Sequence, residues 1–406
     1  MFTTSQSKFT LLLTALVFTL FSGMAIAGPK AYVGNFKDNT VSVIDTAAGA
    51  VVATVPIAAG PHGMTITPDG RWLYVSSDGA STVSVIDTST DSVTKTIEVG
   101  KSPHGVTLVP GKELLLVAVN GEDKIAFVDT TKQAIIATAS VGKPHTIGVS
   151  PDGKMAYISS QVPGHFEVAV IDLAARKVVR TIALDKTPRD LEYSSDGKAV
   201  YFTKAGANVI EVLDPASDKI VAEIPTGVSP HYVNHLRNTM YGMAIVQGPG
   251  ELFLFDLKTN SPVRSIKVGD QPHWLAVSGD GKTAYVTNEG SNTLSVVDIA
   301  SGKTTTINVG NQPRKVVVQP FAAGEKVSIE NFTFVPQVIT IVPGESVTWS
   351  NNDGSPHAVA FKDSAAGSDT IFPGKTFSRT FDRAGSYEYF CSIHTYMTGR
   401  VEVRQQ

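Results

Sequence analysis

The chain has 406 residues, a formal net charge of −3 and one cysteine. This near-neutral charge leaves no basic footprint, which argues against a dedicated binder of nucleic acid or of anionic membranes. The length leaves room for more than one domain.

Residues 1–27 are predicted to be a signal peptide. Lys8 precedes an apolar run from Leu11 to Phe21, and Ala25-Ile26-Ala27 has the small-residue pattern of a cleavage site. The apolar run is short for a membrane span, so we expect cleavage before Gly28 and export to the periplasm, with no membrane span afterwards. In that oxidising compartment a single cysteine cannot form an internal disulfide, which fits its use as a metal ligand.

A repeated motif dominates residues 31–320. An apolar-x-apolar-apolar-Asp segment recurs, and its aspartates are spaced by 42 or 43 residues: Asp45, Asp87, Asp129, Asp172, Asp214, Asp256 and Asp298. A period of about 40–45 residues built of short alternating strands is that of a four-stranded β-propeller blade. Seven copies therefore predict seven blades, and the aspartates are expected to cap turns between strands.

Further signatures recur with the same period, among them Pro68-Asp69-Gly70, Leu73-Tyr74-Val75 and Ala284-Tyr285-Val286-Thr287-Asn288. They resemble the YVTN family of β-propellers, and we assign residues 28–320 to such a domain. The first repeat begins at its second strand, whereas Arg314 to Gln319 has the pattern of a first strand. We therefore expect a closing blade that combines three N-terminal strands with one C-terminal strand and removes free sheet edges.

One histidine or arginine follows a proline just before each predicted inner strand. In a propeller these positions converge at one mouth of the central channel, and we call them the mouth ring: His62, His104, His145, Arg189, His231, His273 and Arg314. The ring indicates either a metal site or a pocket for an anion or small substrate. The alternative is that Pro-His is part of the common repeat sequence of such propellers, so that each histidine only completes its loop and hydrogen-bonds its neighbours. His165 is expected to be a solvated loop residue, and His235 is assigned no role.

A linker at 321–326 is predicted to precede a second β-rich domain at 327–406. An Asn-rich loop there carries His357, and the strand Tyr387–Phe390 leads to Cys391, with His394 and Met397 in the loop beyond it. Two imidazoles, a thiolate and a thioether are the ligands of a type 1 (blue) copper centre used in electron transfer. The alternative, an inert buried thiol with incidental histidines, explains each residue singly but not their joint pattern.

Four stretches of this domain resemble the cupredoxins, most closely plastocyanin and amicyanin. They are Phe332-Thr333-Phe334-Val335-Pro336, Val342-Pro343-Gly344-Glu345-Ser346-Val347-Thr348-Trp349, the Asn-rich turn before His357 and the Gly-x-Tyr-x-Tyr-x-Cys strand. The resemblance implies a Greek-key β-sandwich and one type 1 copper ligated by His357, Cys391, His394 and Met397. That family usually has proline after the second histidine, where this chain has Thr395. This difference affects the stiffness of the ligand loop and the reduction potential of the copper, but not the identity of the ligands. The predicted fold is thus all-β, a seven-bladed propeller followed by a cupredoxin.

Three functions compete. The favoured one is an exported electron-transfer protein whose propeller docks a redox partner (a cytochrome, a cupredoxin, or a dehydrogenase or reductase) or binds a substrate. The second is a periplasmic copper-dependent oxidoreductase with its chemistry at the mouth ring, similar in architecture to nitrous oxide reductase. The third is a binding or scaffold protein in which copper is secondary.

Two departures from nitrous oxide reductase weaken the second function. A single cysteine excludes a dinuclear copper centre, and Arg189 and Arg314 stand where a multinuclear cluster requires histidines. The inner strands run from the mouth ring to the opposite face of the propeller, and Arg314 to Gln319 is the last of them. The linker that follows it is therefore expected to leave from the face opposite the ring. A redox-active ring would then favour a head-to-tail homodimer, with each cupredoxin over its partner's ring.

Overall fold

Each predicted repeat forms short antiparallel strands in the computed structural model, which describes residues 29–235, 241–279, 281–319, 326–341, 346–362, 367–381 and 383–403. The described residues form nine four-stranded sheets. The predicted signal peptide at 1–27 and all but the last residue of the predicted linker lie outside them. This part of the chain contains no apolar helix of membrane-spanning length.

Seven of the sheets form the blades, in which the strands follow one another from the channel outward. Blade 1 is closed by the C-terminal strand and consists of β28 (Pro313–Val318), β1 (Lys30–Asn35), β2 (Thr40–Asp45) and β3 (Ala50–Pro56). Blade 2 consists of β4 (Pro61–Ile66), β5 (Trp72–Ser77), β6 (Thr82–Asp87) and β7 (Ser92–Glu98). Blade 3 consists of β8 (Pro103–Leu108), β9 (Leu114–Val119), β10 (Lys124–Asp129) and β11 (Ala134–Ser140), with a 3₁₀ turn at Asn120–Glu122.

The other blades repeat this order. Blade 4 consists of β12 (Pro144–Val149), β13 (Met155–Val162), β14 (His165–Asp172) and β15 (Lys177–Ala183). Blade 5 consists of β16 (Pro188–Tyr193), β17 (Val200–Lys204), β18 (Val209–Asp214) and β19 (Lys219–Pro225). Blade 6 consists of β20 (Pro230–His235), β21 (Tyr241–Val246), β22 (Glu251–Asp256) and β23 (Ser261–Lys267). Blade 7 consists of β24 (Pro272–Val277), β25 (Thr283–Asn288), β26 (Thr293–Asp298) and β27 (Thr304–Asn308).

The predicted closure of the ring is confirmed. Strand β1 pairs antiparallel with β28, from Ala31 opposite Val318 to Asn35 opposite Pro313. The inner strands β4, β8, β12, β16, β20, β24 and β28 pack each against the next, and β28 packs against β4. The blades therefore form a closed circle around a central channel.

Apolar clusters between neighbouring blades hold this circle together. The second and third strands of each blade are buried on both faces, which explains their nearly continuous apolar sequences, whereas the outermost strands are largely exposed. Each of seven buried clusters joins one blade to the next. In the cluster between blades 7 and 1, Tyr285 and Leu294 pack with Ala31, Val33 and Val316.

The repeat aspartates cap turns, as predicted. Oδ1 of Asp45 accepts hydrogen bonds from the Ala47 and Ala48 amides at 2.9 and 3.0 Å. Equivalent bonds to amides two or three residues on are made by Asp87, Asp129, Asp172, Asp214, Asp256 and Asp298. A carboxylate that accepts from its own turn fixes the hairpin between the third and fourth strands.

The inner strands approach each other closely at the channel mouth. A Cβ atom at Gly63 would collide with the carbonyl oxygen of His104, and one at Gly105 with that of His145. Glycine after histidine is therefore required in blades 2 and 3. Each inner strand begins at its proline, so the mouth-ring residues are the second residues of these strands and do not precede them as predicted.

The remaining two sheets form a sandwich. One contains β30 (Thr333–Val335), β29 (Lys326–Glu330), β32 (Ser346–Asn351) and β34 (Thr376–Thr380). The other contains β31 (Val338–Ile341), β36 (Thr398–Val403), β35 (Gly385–Phe390) and β33 (Ala360–Phe361). Trp349, Phe334 and Tyr389 fill the core between them. Strand β29 begins at Lys326, which was predicted to be the last linker residue.

Candidate metal centres

Three of the four predicted copper ligands meet at one end of the sandwich. Nδ1 of His357 lies 3.7 Å from Sγ of Cys391, Nδ1 of His394 lies 3.8 Å from the same sulfur, and the two nitrogens are 3.3 Å apart. His357 ends the loop after β32, and Cys391 and His394 follow β35. His357 and Cys391 are fully buried, and His394 is half-buried.

The spacing of these three donor atoms suits a metal ion. The point equidistant from them lies about 2.1 Å from each, close to a metal–imidazole bond of about 2.0–2.1 Å and slightly short of a metal–thiolate bond of about 2.3 Å. Two imidazoles and a thiolate in one plane are the trigonal donor set of blue-copper proteins. The residues present therefore fit copper.

Asp353 holds the imidazole of His357 in the tautomer that a metal requires. Oδ2 of Asp353 is 2.9 Å from Nε2 of His357 and accepts its hydrogen, which leaves the Nδ1 lone pair for a metal. Burial would raise the pKa of Asp353, but hydrogen bonds from the Phe332 and Asn331 amides and from His357 outweigh it and lower that pKa. The carboxylate is therefore charged at neutral pH.

The loop that carries Cys391, His394 and Met397 is closed by backbone hydrogen bonds. The Cys391 amide donates to the Met397 carbonyl and the Met397 amide to the His394 carbonyl, both at 3.0 Å. The amides of His394 and Ala358 donate to Sγ of Cys391 at 3.3 and 3.4 Å. Met397 is 2 % exposed and packs in the same core cluster as Cys391. The Cys391 sulfur thus accepts two amide hydrogen bonds beside the two imidazoles.

His394 lies beside an apolar surface. The ring of Phe332 contacts His394 edge-on at 5.0 Å and His357 at 5.4 Å between centroids. Phe332, Ile393 and Tyr396 are 40 %, 47 % and 71 % exposed. Solvent-facing aromatic and aliphatic side chains therefore surround the imidazole that lies nearest the surface.

The mouth ring does not converge evenly on the channel axis. His62, His104 and His145 form one group, with ring centroids 4.5, 5.0 and 5.7 Å apart. His231 and His273 form a pair at 4.3 Å.

The two arginines of the ring are bound by neighbouring blades. Nη1 of Arg189 donates to Ser229 and Gln247 at 3.2 and 3.0 Å. Arg314 pairs with Glu289 at 3.3 Å, and its guanidinium lies 3.6 Å from the ring centre of Phe36. Both guanidinium groups are thus engaged by protein groups, which weakens the anion-pocket interpretation of the ring.

Burial keeps four of the ring histidines neutral: His62, His145, His231 and His273. It lowers the pKa of His145 and that of His273 to about 3, with His104 adding to the effect at His145 and Arg314 at His273. Burial, the other imidazoles and Arg314 lower the pKa of His62 well below its usual value. A neutral imidazole is the form that binds metals.

The two histidines outside the ring lie in strands. His165 is exposed, as expected, but it is the first residue of strand β14 and not a loop residue, and His235 is the last residue of β20.

Two ionisable residues of the channel, Asp190 and Lys315, were missed by the sequence reasoning. Burial raises the pKa of Asp190 and lowers that of Lys315, and each attracts the other's charged form. Nζ of Lys315 lies 3.0 Å from the ring centre of Trp274, which stacks on Tyr232 at 3.6 Å. These side chains line a channel cavity of about 650 Å³, together with His62 and His145.

Local signals for the missed residues existed. Asp190 and Lys315 each directly follow a mouth-ring residue, where the other blades carry Gly, Thr, Tyr or Trp. Asp353 lies four residues before His357, in the turn that delivers that ligand. A charged residue at a position that is neutral in the other repeats is the signal that points to the channel.

The sequence matches two families. Residues 322–404 match "Copper binding proteins, plastocyanin/azurin family", and residues 25–112 match "YNCE-like beta-propeller". Amicyanin of Paracoccus versutus is 41 % identical over 83 residues, which are 19 % of this chain and 62 % of that protein. Plastocyanin of Scenedesmus fuscus is 40 % identical over 72 residues, which are 15 % of this chain and 74 % of that protein. The chain thus spans less than two thirds of that amicyanin.

A solved structure supports the propeller fold. A chain of Kuenenia stuttgartiensis Hydrazine Synthase superposes with a TM-score of 0.62 at 22 % identity, covering 70 % of this chain and 99 % of that chain. At this identity the likeness concerns the fold. The predicted architecture of a β-propeller joined to a cupredoxin is confirmed.

Proposed function

Because its C-terminal domain belongs to the plastocyanin/azurin family of copper-binding proteins, we propose that this chain is an exported type 1 copper protein that transfers electrons. The observation that carries the proposal is the triangle of His357 Nδ1, His394 Nδ1 and Cys391 Sγ. Met397, buried in the same cluster, is the residue that would supply the fourth ligand, a thioether. Copper bound there supplies a one-electron Cu(II)/Cu(I) couple, one copper per chain.

The surrounding residues suit rapid electron transfer because they hold the donor atoms in place. Asp353 fixes the ring of His357, and backbone hydrogen bonds close the loop from Cys391 to Met397. Two amides donate to the sulfur and stabilise the thiolate, a contact that tunes the potential of such centres. Donors fixed in this way need little rearrangement when the oxidation state changes.

The half-buried His394 is the proposed route for the electron. Its ring touches Phe332, and Ile393 and Tyr396 beside it are exposed. An apolar surface of this kind allows a transient complex in which no charged group is desolvated. The proposed partner is another redox protein: a cytochrome, a cupredoxin, or a dehydrogenase or reductase.

The propeller is proposed to serve as a docking or substrate-binding platform in the periplasm. The predicted signal peptide at 1–27 supports export. Export is tested by N-terminal sequencing of the protein from the periplasmic fraction. Mature protein beginning at Gly28 is expected, whereas retention of Met1 in a cytoplasmic fraction would contradict it.

A second candidate function is a periplasmic oxidoreductase with its reaction in the propeller channel. It is favoured by one observation, the 650 Å³ cavity lined by neutral histidines and by Asp190 and Lys315. A head-to-tail homodimer would then bring the copper of one protomer over the channel of the other. Sedimentation equilibrium tests this arrangement, because a monomer with a redox-active channel would exclude it.

The copper assignment is tested on copper-loaded full-length protein, with Cys391→Ala for comparison. We expect one copper per chain and an intense thiolate-to-copper absorption band with a type 1 EPR spectrum in the wild type. The band should be lost in Cys391→Ala, while His165→Ala, an exposed histidine in blade 4, should keep it. A wild type without this band would overturn the assignment.

A further inference from the structure

Three histidines on neighbouring inner strands lie close together at the channel mouth. His62, His104 and His145 are the second residues of β4, β8 and β12, and one ring nitrogen from each lies within 4.8 Å of the others. All three side chains are half-buried. These strands belong to three different blades and pack side by side, with close backbone approaches at Gly63 and Gly105.

The hydrogen bonds of His104 prepare it as a ligand. Oδ1 of Asp78 lies 3.0 Å from Nε2 of His104 and accepts the hydrogen of that nitrogen. Nδ1 of His104 is buried and has no hydrogen-bond partner among the described residues. A carboxylate on one imidazole nitrogen and an unpaired lone pair on the other is the arrangement found behind metal-bound histidines.

A backbone carbonyl fixes the tautomer of His145, as the Asp78 carboxylate does for His104. Its Nδ1 lies 3.1 Å from the carbonyl oxygen of Arg189 and donates to it, which leaves Nε2 unprotonated. A carbonyl oxygen is the other common partner that fixes the tautomer of a metal-binding histidine. His104 and His145 thus each keep one ring nitrogen with a free lone pair.

We propose that His62, His104 and His145 bind one divalent transition-metal ion of the zinc, copper or nickel class, with Asp78 as the residue that positions His104. Imidazole nitrogens suit these metals. Three protein ligands leave a fourth position open, as in sites that bind a water or a small ligand, and His62 and His145 line the channel cavity. This site is separate from the proposed copper centre at Cys391.

The remaining ring histidines supply a matched control. His231 and His273 lie at the same mouth as a pair. Nδ1 of His273 donates to a carbonyl oxygen as His145 does, that of Arg314 at 3.0 Å, but its Nε2 lies 3.9 Å from the Glu289 carboxylate. The group of three ligand atoms within 4.8 Å of one another contains neither of them, and the His273 ring lies 6.4 Å from that of His62. Substitution of His273 should therefore leave the proposed site intact.

The experiment uses the full-length chain with Cys391→Ala and His394→Ala, which removes the cupredoxin ligands. Zinc is titrated into this protein and bound zinc is measured by mass spectrometry after gel filtration, with Co²⁺ absorption as a second probe of coordination. We expect about one zinc per chain. His104→Ala and His145→Ala should abolish binding, while His273→Ala should retain it.

Asp78→Asn keeps every ligand and an acceptor oxygen, so it tests the site without removing a ring. Its zinc affinity should fall by about 10- to 100-fold. Zinc should also raise the melting temperature of the parent, and this rise should be absent in His104→Ala. No bound zinc in the parent, or equal affinities in His104→Ala and His273→Ala, would overturn the proposal. Circular dichroism of each variant shows whether a loss reflects unfolding.

Discussion

Oδ2 of Asp353 lies 2.9 Å from Nε2 of His357, while Nδ1 of the same ring faces the Cys391 sulfur 3.7 Å away. The carboxylate thus decides which nitrogen of His357 carries the hydrogen. Asp353 also accepts from the Asn331 and Phe332 amides at 2.6 and 2.9 Å, so one side chain fixes both the ligand and the segment that carries Phe332.

Asp353→Ala should weaken copper binding because the ring of His357 loses its orienting partner. We expect affinity to fall by about 10- to 100-fold, the usual effect of removing such a partner. Asp353→Asn retains an acceptor oxygen, so its copper affinity should fall less than that of Asp353→Ala. Competition titrations against a copper chelator measure both variants.

Asp369→Ala provides the control, since Asp369 is an exposed carboxylate of the same domain. It should bind copper as the wild type does. Equal affinities for Asp353→Ala and Asp369→Ala would show that the hydrogen bond to His357 does not position the ligand.

Ile393→Glu should slow electron exchange without disturbing the copper ligands. Ile393 is 47 % exposed and adjacent to His394, so a carboxylate there would face its copy when two molecules meet through this surface. Like charges at a contact surface oppose association, and we expect self-exchange between oxidised and reduced protein to fall by at least about tenfold at low salt. Added salt should restore part of the rate. NMR line broadening measures it.

Val52→Glu is the matched substitution on the propeller, where Val52 is 56 % exposed on the outer strand β3. It should leave the self-exchange rate unchanged. If both variants slowed exchange equally, net charge and not the surface around His394 would be responsible.

The fold was largely predictable because its determinants are periodic. The aspartate spacing predicts the number of blades, and each aspartate caps its own hairpin, so a local bond repeats in the sequence as it does in space. The cupredoxin ligands were also predictable, since Cys391, His394 and Met397 lie in one short loop.

The arrangement within the channel was not predictable, because its contacts join residues far apart in sequence. Arg189 bonds Gln247, which is 58 residues away, and His104 bonds Asp78 from the blade before it. Nothing in the repeat pattern reveals that the arginines are engaged while His104 has a free nitrogen. Side-chain partners contributed by neighbouring blades decide those roles.

Lys204→Met should destabilise the propeller because it leaves a buried carboxylate without its cation. Nζ of Lys204 pairs with Glu211 and with Asp185, and the Lys204 and Glu211 side chains are only 8 % and 9 % exposed. Breaking a buried pair by removing one partner costs about 3–5 kcal/mol. Urea denaturation measures the free energy of unfolding.

The double variant Lys204→Met with Glu211→Leu removes both charges and should recover most of that loss, since the buried carboxylate no longer lacks a partner. Asp185 is 64 % exposed and remains hydrated. A double variant as unstable as Lys204→Met would mean that lost packing, and not the unpaired carboxylate, causes the effect.

Asp190 should make the stability of the propeller depend on pH. Its Oδ2 accepts from the Val233 amide at 3.1 Å, and burial raises the pKa of its carboxyl above the usual value, partly offset by that bond and by Lys315. The folded protein therefore holds this proton at pH values where the unfolded chain, with a pKa of about 3.9, has released it. Stability from this group is fully present below the unfolded pKa and is lost as pH rises through the folded pKa.

Asp190→Asn removes the titration and keeps an acceptor for Val233. The wild type should therefore lose stability relative to Asp190→Asn as pH rises from about 4 toward neutrality. Asp190→Ala leaves the Val233 amide unpaired and should cost about 1–3 kcal/mol at every pH. Calorimetric unfolding across this pH range compares the three proteins. Parallel curves for the wild type and Asp190→Asn would contradict the prediction, because they would show that Lys315 fully offsets burial and leaves the pKa of Asp190 equal in the folded and unfolded chains.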